Sequence, residues 1–220
     1  MKSKKVFGLI VAAVLAVSLF AAGCSGKGDS AESGSARAGK GQTESGQEDN
    51  GGTGGGNLQQ REESGIRASL RSFEAAALDG SSFTQEDIAA KDVTLINFWA
   101  LTCPPCIREM PEIAAFADSL PDNVQVVTVC LDGSTDEEYT KSILDEAGFH
   151  GVTLIAAGGD LMDVIYEIQY TPTTILVDKD GNLVGDVIIG GQEDLAGTYT
   201  DAVNRALKQM GKAEMTDAEG

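Results

Sequence analysis

From about residue 70 the chain alternates short apolar runs with polar, turn-forming stretches. Ser72–Ala76 and Ser82-Phe83 flank Asp79-Gly80, a pattern that predicts a hairpin. Thr84 followed three residues later by Asp87 predicts a capped short helix running through Ala90. Val93 to Ala100 reads VTLINFWA, rich in β-branched and aromatic residues, and predicts a buried strand. Between Cys103 and Leu120 the apolar residues Ile107, Met110, Ile113, Ala114 and Ala117 recur at helical spacing. A helix is expected there, bent at Pro111, which lacks the N–H of one helical hydrogen bond. Val124–Leu131 and Val152–Ala156 read as strands, and Thr135–Glu146 as a helix. Asp160–Ile168 reads as a further helix with Asp160 as its cap. Thr173–Val177 and Leu183–Ile189 are strands around the turn Asp178-Lys179-Asp180-Gly181. Gly190-Gly191 then breaks the chain before a last helix from Asp194 to Met210. Strands alternating with helices, closed by a hairpin and a helix, imply an α/β sandwich with a mixed central sheet.

That pattern is missing upstream. Residues 25–57 are dominated by Gly, Ser, Asp, Glu and Gln and hold almost nothing large and apolar. Such a segment cannot bury enough surface to offset its chain entropy, so it is expected to be a disordered tether. The first residues pair Lys2, Lys4 and Lys5 with an uncharged apolar stretch from Val6 to Ala22, as a signal peptide does. The stretch ends in Ala21-Ala22-Gly23-Cys24, which resembles the lipobox of bacterial lipoproteins, although Ala21 stands where Leu is usual. That resemblance implies a lipid on Cys24 and a globular part outside the cytoplasm, anchored to the plasma membrane. The expected organisation is a signal peptide (1–23), a tether (24–67), a single globular domain (68–212) and an acidic tail (213–220).

The formal net charge of −18 excludes the basic face that nucleic-acid binding needs. Acidic residues are spread over the tether, the domain and the tail, and a well-solvated surface accounts for them.

The chain has 4 cysteines. Cys130 lies in an apolar strand, where a free cysteine usually behaves as a small hydrophobe. Cys103 and Cys106 form the only CxxC, in NFWALTCPPC. A structural zinc site needs four ligands, and with one such pair and 1 histidine, His150 in a surface turn, none is expected. No cofactor is called for either. The pair falls at a strand-to-helix junction, where free N–H groups and the helix dipole stabilise a thiolate. Cys103 at the helix start would attack a partner's disulfide, and Cys106, one turn in on the same side, would resolve the mixed disulfide. Pro104 and Pro105 suit a first turn, whose N–H groups have no helical partner.

NFWALTCPPC, with Pro111 five residues after the second cysteine, resembles the thioredoxin active site. Tyr170-Thr171-Pro172-Thr173-Thr174-Ile175-Leu176-Val177-Asp178 resembles the segment carrying that family's cis-proline. The extra helix and strand from Thr135 to Ala156, the leading hairpin and the export signal are similar to the TlpA/ResA-like extracytoplasmic thioredoxins. The resemblance implies a thioredoxin-like fold, with an N-terminal hairpin and a helix-strand insertion before the cis-proline. It implies a redox-active Cys103/Cys106 pair and a cis bond before Pro172. It also implies a substrate surface involving Trp99, Thr171 and Pro172. Asn97 stands where cytoplasmic thioredoxins keep a titrating Asp, and Glu109 matches a Glu that ResA-like members keep near the site, so Glu109 is expected to accept the Cys106 proton. Thr102 departs from the Trp usual before the first cysteine and is expected to leave the rim more open and more polar.

Three functions remain open on these residues. The favoured one is reduction of disulfides in exported proteins, with re-reduction by a membrane electron donor, in cytochrome c maturation or in electron supply to exported repair reductases or peroxidases. The second is insertion of disulfides during folding. The third is a non-enzymatic surface lipoprotein whose two cysteines form a structural bridge, although a bridge closing so short a loop adds little stability. A peroxiredoxin is excluded, because the Pro-x-x-x-Thr-x-x-Cys context of its peroxidatic cysteine is missing.

Overall fold

The computed structural model describes residues 66–67 and 69–215. The expected signal peptide, the lipid site Cys24, nearly all of the tether and residues 216–220 of the tail lie outside the described residues.

Seven strands form one mixed sheet in the order β2-β1-β5-β4-β3-β6-β7. They are β1 (Glu74–Ala77), β2 (Ser82–Thr84), β3 (Val93–Trp99), β4 (Val124–Cys130), β5 (Val152–Ala157), β6 (Thr173–Asp178) and β7 (Leu183–Ile189). The helices are α1 (Gln85–Ala89), α2 (Pro104–Asp118), α3 (Glu137–Ala147), α4 (Asp160–Glu167) and α5 (Leu195–Gln209). Strands β3, β4 and β5 are parallel, whereas β1, β6 and β7 pair antiparallel with their neighbours. The parallel strands therefore end together, and the loops leaving β3 and β4 share that end with the loops entering β6 and leaving β7.

Every residue of β3 is buried, because helices cover both faces of the sheet centre. Val93, Leu95 and Trp99 join a core with α2, α3 and α5, while Ile96 and Phe98 point into a second core with α4 and the N-terminal hairpin. The fold is thus an α/β sandwich of thioredoxin type, with the leading hairpin that the pattern predicts and the α3–β5 insertion that the resemblance implies. Thr84 caps α1 through a capping box with Asp87. α2 runs through Pro111, whose missing N–H leaves one carbonyl of the preceding turn without its helical partner.

One expected cap is corrected. Gly159, not Asp160, is the N-cap of α4. The Asp160 carboxylate instead accepts from the backbone N–H groups of Arg71 and Ser72, both at 2.8 Å, and so pins the segment leading into β1. These partners are 89 and 88 positions away in sequence, so local pattern could not show them.

Candidate functional site

The loop after β3 delivers Cys103 to the N-cap of α2, with extended backbone (φ −108°, ψ 91°) and Pro104 and Pro105 in the first turn. Cys106 lies one turn in, the Cα atoms are 5.3 Å apart, and the two side chains are joined as a disulfide. Cys103 retains 7 % exposure and Cys106 only 1 %. The more exposed cysteine is therefore the one at the helix start, where the helix dipole and the N–H of Cys106, the first residue of the helix that is not proline, favour developing negative charge.

Two loops close on this pair. The Thr171–Pro172 peptide bond is cis, and the Thr171 carbonyl oxygen lies 3.6 Å from Cys103 Sγ. In the disulfide this is a contact without a proton. A Cys103 thiol could donate across it, and a thiolate could not. The Pro172 carbonyl accepts from Gly190 N–H at 2.8 Å, which ties the loop entering β6 to the loop leaving β7. On the other side, Leu101 N–H donates to Asp132 Oδ1 at 2.8 Å, fixing the loop before Cys103 against the turn after β4.

Glu109 stands three residues after Cys106 on α2 and is only 8 % exposed. Its Oε1 accepts from the Gln192 N–H at 2.6 Å. Burial pushes its carboxyl above the usual range; the Gln192 hydrogen bond opposes this only in part, and neighbouring Glu112 adds to it. Below lies a buried polar group: Asn97 Nδ2 donates to Thr174 Oγ1 at 2.9 Å and to Tyr199 OH at 3.4 Å, and Thr174 Oγ1 meets Tyr199 OH at 2.7 Å. Burial holds the Tyr199 phenol up at about 12, so at neutral pH it is a neutral hydroxyl. Nothing in the sequence singled out Tyr199 or Gln192, since each reaches the site from a segment far along the chain.

The substrate contact expected of Trp99 is corrected. Its ring is 0 % exposed and packs in the core beside Cys103, Cys106 and Met110, so it supports the loop from beneath and offers no surface to a partner. The alternation along β3 explains this: Trp99 shares the α2-facing side with Val93 and Leu95. Cys130, paired with Trp99 across β3 and β4, is free and buried, and burial together with Asp132 pushes its thiol up to about 12. His150 is exposed, as a turn residue should be.

Comparison with known proteins gives the same picture. The Redoxin family matches residues 64–196. The chain is 30 % identical over 112 residues to the thiol-disulfide oxidoreductase YkuV of Bacillus subtilis, covering 50 % of this chain and 75 % of that protein. It is 32 % identical over 108 residues to the thiol-disulfide oxidoreductase ResA of Halalkalibacterium halodurans, covering 49 % and 59 % respectively. Among solved structures, the thioredoxin domain of a thiol-disulfide oxidoreductase from Bacteroides vulgatus superposes with a TM-score of 0.50 at 26 % identity, over 63 % of this chain and 98 % of that domain.

Proposed function

The chain belongs to the Redoxin family and is a thiol-disulfide oxidoreductase of thioredoxin type, and from that premise we propose that it works as a reductase of disulfides in exported proteins. The observation that carries the exchange chemistry is the placement of Cys103 at the N-cap of a fifteen-residue helix with Cys106 buried one turn behind it, and the direction of electron flow follows from the reductase reading.

In the reduced protein the Cys103 thiolate attacks one sulfur of the substrate disulfide. A Cys103–substrate disulfide forms, and the other substrate sulfur leaves as a thiolate that takes up a proton. Cys106, giving its proton to Glu109, then attacks Cys103 Sγ. The Cys103–Cys106 disulfide forms, and the second substrate sulfur leaves, so two electrons have passed to the substrate. The raised pKa of the Glu109 carboxyl brings it closer to that of a thiol and so suits this exchange, because proton transfer is easiest between groups of similar pKa. Thr171 and Pro172 present backbone on the partner's side of Cys103. A membrane electron donor returns the two electrons, and a lipid on Cys24 keeps the domain at the outer face of the plasma membrane. Cytochrome c maturation, or electron supply to exported repair reductases or peroxidases, is the setting that fits such a reductase.

Reduction of insulin with dithiothreitol as electron source tests the reading. The wild-type chain should accelerate precipitation and Cys103→Ser should not; equal rates for the two proteins would leave only a binding lipoprotein.

A further inference from the structure

Among the described residues five large apolar side chains are exposed: Leu131, Tyr139, Tyr166, Tyr170 and Ile189. Apolar exposure of this kind is ordinary when scattered. Here it is not scattered. Tyr170 (67 % exposed) precedes Thr171, whose carbonyl touches Cys103 Sγ. Ile189 (47 %) precedes Gly190, which is bonded to the Pro172 carbonyl. Leu131 (37 %) donates its N–H to the Trp99 carbonyl and precedes Asp132, which holds Leu101. Tyr139 lies in the first turn of α3, entered from the same loop, and Tyr166 lies one turn before the loop that enters β6.

The charges on these loops are as one-sided. The segments 100–103, 131–136, 168–172 and 190–194 contain Asp132, Asp136, Glu193 and Asp194 and no Lys or Arg. None of the four acids is ion-paired among the described residues, and Glu193 makes no hydrogen bond either. Arg108 is the one cation on α2. Lys91 before β3, Lys179 in the β6–β7 turn and Lys212 after α5 sit at the opposite end, and Lys141 on α3 is ion-paired with Asp145.

We propose that this rim selects its substrate: the site takes an exposed protein segment whose disulfide cysteine is flanked by bulky apolar residues and by Lys or Arg. The inference deepens the reductase reading and rests on it. Tyr170, Ile189 and Leu131 stand exposed on the three segments whose neighbouring residues meet around Cys103, where a partner's apolar side chains would cover them and exclude water from the exchange. The unpaired carboxylates favour a basic partner and repel an acidic one, which raises the encounter rate selectively. Thr102 is exposed as expected, and the other three loops add exposed apolar side chains beside the carboxylates.

The test uses the full chain, reduced, and two synthetic disulfide-bearing peptides with the same aromatic flanks, one carrying Lys and the other Glu beside each cysteine. At low ionic strength the Lys peptide should be reduced at least about tenfold faster, and the ratio should fall toward one as salt is raised. Glu193→Gln should shrink the ratio without changing the rate toward an uncharged small disulfide, and Tyr170→Ser should slow both peptides. Equal rates for the two peptides at every salt concentration, with normal exchange on the small disulfide, would overturn the rim proposal and leave the reductase reading standing. Failure to reduce either peptide or the small disulfide would overturn both.

Discussion

Glu109→Gln should make the protein more stable at neutral pH, although it removes a charge and leaves the shape almost unchanged. The carboxyl is 8 % exposed, and burial raises its pKa above the reference value of 4.5. A carboxyl whose folded pKa lies above its unfolded value binds its proton more tightly in the fold, so ionising it opposes folding. Below the unfolded value both states are protonated and the group costs nothing. As the pH rises through 4.5 the unfolded chain ionises first, and the penalty grows until the folded carboxyl has ionised as well. Each unit of upward shift corresponds to about 1.4 kcal/mol at that plateau. In a domain of this size 1 kcal/mol moves Tm by about 2–4 °C. Glutamine keeps an oxygen for the Gln192 N–H, so the 2.6 Å contact has a neutral acceptor in the variant. The assay is thermal unfolding of oxidised wild type and Glu109→Gln from pH 3.5 to 8. The two curves should coincide at the acid end and separate above pH 4.5, the variant melting higher. A variant that melts lower at pH 7, or a difference that does not change with pH, would refute the reasoning.

The remaining predictions address the same region. Tyr199→Phe removes the hydroxyl that meets Thr174 at 2.7 Å and Asn97 at 3.4 Å, and should cost about 1–3 kcal/mol in urea unfolding, because the partners stay buried; a change below about 0.5 kcal/mol would mean that water replaces it. Cys130, 1 % exposed with its thiol raised to about 12, should resist iodoacetamide at pH 8 in the folded protein and react on unfolding; rapid labelling of the native chain would contradict its burial. Cys106→Ser should accumulate a mixed disulfide with a substrate protein through Cys103, whereas Cys103→Ser should trap almost none, in line with the 7 % and 1 % exposures; mass spectrometry of the linked peptides decides it, and equal trapping would reverse the assignment of attacker.

What could be read from sequence was what local chemistry dictates. The run VTLINFW reads as a strand buried on both faces, and the two prolines of the Cys-Pro-Pro-Cys junction suit the first turn of a helix with Cys103 at its start, as the fold has them. The Tyr170–Asp178 segment could be recognised because its flanks match a known pattern, and the bond before Pro172 is cis. What escaped was set by packing between distant segments. Trp99 was legible as an aromatic near the cysteines but not as one facing inward, since its side of the strand depends on which helix covers it. Glu109 was legible as a carboxylate near Cys106, yet its burial depends on Gln192, 83 positions away. Asp160 has the composition of a cap, and only the fold shows it bonded to Arg71 and Ser72 instead. The grouping of Leu131, Tyr170 and Ile189 escaped for the same reason: they flank different strands, and only the sheet order brings those strand ends to one end of the sheet.

The equilibrium potential of the Cys103/Cys106 pair, measured against a glutathione redox buffer, tests the proposed direction of electron flow most directly. A reductase requires a value well below the glutathione couple, whose cytosolic poise by extraction is about −220 to −260 mV. A value near that of the strong folding oxidants, about −120 mV, would contradict it and make the protein a donor of disulfides.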